Sequence, residues 1–141
     1  MRTLAILAAT VVITTIACQQ KKGEETTATD SNEWPQLDAF HMVMAESFHP
    51  YADSGNLEPA RKYAAEMASL AEALAGDPLP EKVDDQVTRA LLNDLARETA
   101  AFSAIADTAP DDSLAESLTS LHDLFHEIQH AWYREDGNEA H

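Results

Sequence analysis

The sequence predicts an all-α domain, an up-down-up-down four-helix bundle, on three observations. Four stretches repeat apolar residues at three- and four-residue spacing, the period of a single helix face. Short segments carrying Pro, Gly and Asp separate these stretches. Ala and Leu abound, whereas Gly numbers 4 and aromatics make up 6% of the 141 residues, so intrinsic propensity favours helix over sheet. Amphipathic helices joined by short links must bury their stripes on one another, and the up-down bundle is the simplest way to do so.

Taken in order, the chain begins with a short basic start at Arg2, followed by an apolar run that reaches Ala17 and is interrupted only by threonines. Such a run is too short to span a bilayer and remain there, so residues 1–17 read as a signal peptide. It closes on Thr15-Ile16-Ala17-Cys18. This ending resembles a bacterial lipoprotein signal, with Thr15 standing where that family usually has a larger apolar residue. The resemblance implies that Cys18 becomes the lipidated first residue of the mature chain. It also accounts for a lone exported cysteine, which has no disulfide partner in the sequence. The residue after it is Gln19 rather than Asp, which implies an outer-membrane anchor facing the periplasm. Residues 18–32 are polar and aperiodic and read as a flexible tether, leaving residues 33–141 for the bundle domain.

In the first helical stretch, 33–48, the stripe is Leu37, Phe40, Met44 and Phe48; His49-Pro50 begins a break, and 51–56 has turn composition. The second, 57–75, tolerates Pro59 in its first turn and meets Gly76 as a stop. Its apolar face is Ala60, Tyr63, Ala64, Met67, Leu70, Ala71 and Leu74. After a rigid link at 77–80, the third stretch, 81–106, presents Val83, Val87, Leu91, Leu95, Phe102 and Ile105. Glu98 falls inside that face, where a carboxylate would need pairing, protonation or a cation; His41, His122 and Tyr63 are its candidate partners, unless the helix turns slightly and Glu98 reaches water. A link at 107–112 precedes Ser113 and Glu116, which fit a capping box for the last helix, 114–133.

Charge narrows the function classes. Nine Lys and Arg against 25 Asp and Glu give a formal charge of −16, which repels nucleic acid and forbids a polybasic grip on anionic lipid. A cation is the natural guest of such a surface.

Histidine supplies the candidate site. His122, His126 and His130 recur every four residues, and His41 and His49 lie on the first helix. With Leu114 at zero and about 100° per residue, the last helix gathers Leu118, Leu121, Phe125, Ile128 and Trp132 within about 40°, while the three histidines fall at about 80°, 120° and 160°. The first helix repeats this geometry, with His41 at about 40° and His49 at about 120° from Leu37. Antiparallel neighbours meet through equivalent flanks. The expected result is a seam of five imidazoles between the first and last helices, with His41 level with His130 and His49 level with His122. Met42 lies on its outer side and Met44 points to the core as weaker candidate ligands; Asp38, Glu46, Asp123 and Glu127 are possible acceptors for ring N–H groups.

Imidazole ligands suit copper or zinc, and no thiolate is available once Cys18 is acylated. The predicted architecture is also similar to periplasmic four-helix cytochromes of the c′ and soluble b types. That resemblance implies non-covalent haem held by His122 or His126 with Met44, since the chain contains no C-x-x-C-H motif. His126, Glu127 and His130 further form HEIQH, the zincin spacing, with Glu127 as the would-be base, although zincins also need a third ligand and a substrate cleft, in a domain larger than this. The leading expectation is a lipid-anchored envelope protein that stores, delivers or senses a transition metal. The alternatives are an interaction lipoprotein whose histidines respond to pH, and a small zinc hydrolase.

Overall fold

The computed structural model describes residues 33–134, which form four helices: α1 (Pro35–Ser54), α2 (Glu58–Gly76), α3 (Gln86–Ile105) and α4 (Asp111–Tyr133). A single 3-10 turn at Glu81–Val83 lies between α2 and α3. The helices run up-down-up-down, each packed on its sequence neighbours, and α1 closes the bundle against α4. The signal peptide, Cys18, the tether and His141 lie outside the described residues.

The core follows the predicted stripes most closely in α4, where Leu114, Leu118, Leu121, Phe125, Ile128 and Trp132 are all buried. From α1 come Leu37, Phe40 and Met44, and from α2 Ala60, Ala64, Met67, Ala71 and Leu74. Four ring contacts fasten α1 to α4: Trp34 with Trp132 (5.4 Å between ring centroids), Phe40 with Phe125 (5.2 Å), His41 with Phe125 (5.4 Å) and Phe48 with His122 (3.7 Å). Lys82, on the 3-10 turn, caps the first of these with its ammonium 3.3 Å from the centre of the Trp132 ring.

Three local departures from expectation have physical causes. Helix α1 does not stop at His49-Pro50 but continues to Ser54. Proline's fixed φ suits a helix, and its costs there, a lost N–H donor and the crowding of its ring against the carbonyl four residues back, are offset by what the continuation packs. The continuation keeps Tyr51 partly buried against the core and beside Phe48, and it ends at Gly55, whose φ of 72° allows its N–H to bond back to the carbonyl of Tyr51. The expected third helix is interrupted, because Asp85 caps a fresh start by accepting hydrogen bonds from the N–H groups of Val87 and Thr88 at 2.8 and 2.9 Å. Helix α4 begins at Asp111, so Ser113 is already inside the helix and the expected capping box does not form; Asp111 and Asp112 instead place negative charge in the first turn.

The new start of α3 goes with a different buried face: Thr88, Leu92, Leu95, Thr99 and Phe102 point inward, while Val87 is 69% exposed and Ile105 lies at the surface. Two threonines can occupy that interior because their hydroxyls are satisfied within the helix, Thr99 donating to the Leu95 carbonyl at 2.8 Å and Thr88 to the Asp85 carboxylate at 3.1 Å. At the other end, Arg61 of α2 donates to the carbonyls of Ala106 and Ala109 and to the Asp111 carboxylate, supplying partners to the α3–α4 link.

Asp85→Ala removes the carboxylate that accepts hydrogen bonds from the Val87 and Thr88 N–H groups and from the buried Thr88 hydroxyl. It should lower unfolding free energy by about 1 kcal/mol, measured by urea denaturation, with the helical spectrum unchanged.

Candidate metal centre

The α4 histidines do not behave as one uniform row. His122 is partly buried, its side chain 24% exposed, whereas His126 and His130 are exposed. Phe48 is the cause. Its ring lies parallel to the His122 imidazole, 3.7 Å away with 9° between the planes, and this stack pins His122 over the α1–α4 boundary. In the sequence Phe48 reads as one more core position on a stripe; only the packing of two helices gives it this second role.

Pinned in this way, His122 meets His126 from the next turn. Their Nε2 atoms are 3.1 Å apart, so in the neutral pair one ring donates N–H and the other accepts. The Asp123 carboxylate lies 3.7 Å from His122 Nδ1, on the opposite edge of that ring. Negative charge there favours a proton on Nδ1 and leaves the Nε2 lone pair free to face His126.

Of the remaining predicted ligands, His130 continues the row at 6.5 Å between its ring centroid and that of His126. His41 is exposed and lies beside Phe125, 5.4 Å between centroids, rather than against another imidazole. His49 is close enough for its charge to disfavour a proton on His122, but it also lines a groove of about 610 Å³ between α1 and α2, with Glu46, Glu58, Lys62 and Tyr63. Among the described residues no three His, Cys, Asp or Glu side chains converge on one point. The seam of five imidazoles thus resolves into one close pair, with the other three histidines distributed around it.

The other candidates separate by burial. Met44 is buried in the core and Met42 is 63% exposed, as the helical angles predict. Glu98 is not inside the α3 face: the rotation that buries Thr99 leaves it exposed, where it accepts hydrogen bonds from Arg97 at 3.1 and 3.3 Å rather than from His41, His122 or Tyr63. Glu127 is exposed on α4. In HEIQH, the His126 nitrogen turns toward His122, one turn back, and not toward His130. For haem, the proposed axial partners diverge, since Met44 enters the core while His126 stands at the surface.

Electrostatics follow from this geometry. Burial, then the neighbouring His126 and more weakly His49, hold the His122 pKa below the usual 6.5, against an opposing pull from Asp123. The unfolded chain therefore takes up a proton at this residue at a higher pH than the folded chain. The stability His122 contributes is complete above about pH 6.5 and declines as pH falls through its lower folded value. Urea unfolding of the wild type between about pH 7.5 and 5.5 should show falling stability, and His122→Gln should flatten that dependence. Comparison with protein families, with curated proteins and with solved structures finds no match, so the functional reading rests on the chain's own residues.

Proposed function

We propose that this protein is a lipid-anchored component of the cell envelope, facing the periplasm from an outer membrane, that binds a transition metal, copper or zinc, for storage, delivery or sensing. The observation that carries the metal reading is the 3.1 Å separation of the His122 and His126 Nε2 atoms. Two imidazole nitrogens sharing an ion at roughly 2.0–2.1 Å stand about 2.8–3.4 Å apart for bond angles between square and tetrahedral. The pair already has that spacing, and one proton must leave the shared N–H for an ion to replace it.

Support for the rest comes from the sequence. The strongly acidic surface attracts cations and disfavours nucleic acid, and Cys18 at the end of an apolar run is the natural point of lipid attachment. The second reading, a pH-responsive interaction module, is favoured by one observation: a desolvated imidazole lies at the α1–α4 boundary. Metal titration separates the two.

Calorimetric titration of the full chain in detergent with zinc or copper chloride should give one ion per chain, and His126→Ala should weaken binding at least tenfold. No uptake of either ion would leave only the pH-responsive module. For the anchor, Cys18→Ser should move the protein from the membrane fraction to the soluble fraction of the envelope.

A further inference from the structure

Resting on the metal reading above, we infer that the His122–His126 pair selects Cu(II) over Zn(II) and holds it as an exchangeable ion with open coordination positions. Both ligands come from a single helix, one turn apart, and no third His, Cys, Asp or Glu among the described residues converges with them. The Asp123 carboxylate sits at the Nδ1 edge of His122, away from the Nε2 atoms that would face an ion. Among the described residues the chain therefore supplies two ligands and one ligand–metal–ligand angle, and solvent or an incoming ligand completes the sphere.

A nitrogen separation of 3.1 Å with bonds of roughly 2.0–2.1 Å corresponds to an angle of about 95–102°, between the right angle of a tetragonal ion and the tetrahedral value, so the pair admits a tetragonal ion without enforcing a tetrahedron. The stack on Phe48 restrains one of the two rings and so resists opening of the angle. Zinc specificity is built with four donors in an enforced tetrahedron. Where a protein enforces no such geometry, intrinsic affinity decides, and for nitrogen donors it places Cu(II) above Zn(II). An ion held by two cis imidazoles is also easily passed to a site with more donors, which makes delivery the best fit among the three roles proposed above.

The test is direct competition. The full chain in detergent is equilibrated with equal copper(II) and zinc chloride, desalted and analysed for both metals, and its electron paramagnetic resonance spectrum is recorded. The inference expects one copper per chain, at least tenfold more copper than zinc, and a tetragonal signal with hyperfine structure from two nitrogens. His126→Gln, at an exposed position that should leave the helical spectrum intact, should release the ion and abolish the two-nitrogen signal. Zinc equal to or exceeding copper, with both lost in His126→Gln, would overturn the selectivity and leave the metal-binding reading standing. Copper retained unchanged in His126→Gln, or no uptake of either ion, would overturn both.

Discussion

Closure of α1 against α4 by aromatic contacts is the constraint on which the rest depends. Trp34 with Trp132, Phe40 with Phe125 and Phe48 with His122 set the register in which the two helices meet. Aromatic pairs combine a large buried area with preferred ring geometry, so they locate a helix along its axis as well as hold it. Slide α4 by one turn and Phe48 would no longer cover His122. That imidazole would then lose its desolvation and its fixed orientation, and the close nitrogen pair would become two solvated surface side chains.

The site is consequently a by-product of the core's edge. One face of His122 is apolar, against Phe48; one edge is acidic, toward Asp123; the other edge meets His126. Each of these three surroundings acts on the ring differently. The stack restricts rotation, the carboxylate favours a proton on Nδ1, and burial opposes a second proton that would make the ring cationic. A neutral imidazole with a directed lone pair is the form that ligates a metal.

Sequence periodicity served well where the side chains leave no ambiguity about which face is apolar. Helix α4 has six large apolar residues on one side and histidines and acids on the other, and its core face is as predicted. Helix α3 is harder to read because Val87, Leu91 and Ile105 compete with Thr88, Leu92 and Thr99 for the interior. Hydropathy prefers the first set, but hydroxyls bonded to their own backbone remove most of the cost of burying the second. The misplacement of Glu98 follows from that one rotation. The early end expected for α1 has a similar origin, since a proline rule that concerns local backbone preference was outweighed by core packing at Tyr51 and by the turn at Gly55.

From the sequence alone came the all-α architecture, the two helices that bear histidine and the inward course of Met44, because these follow from a 100° step and from where apolar mass is concentrated. The tertiary structure alone decided which imidazoles come within reach of one another. Angular position ranks residues around a helix, but a distance of 3.1 Å between two ring nitrogens depends on rotamers, and the His122 rotamer is held by a phenylalanine belonging to another helix.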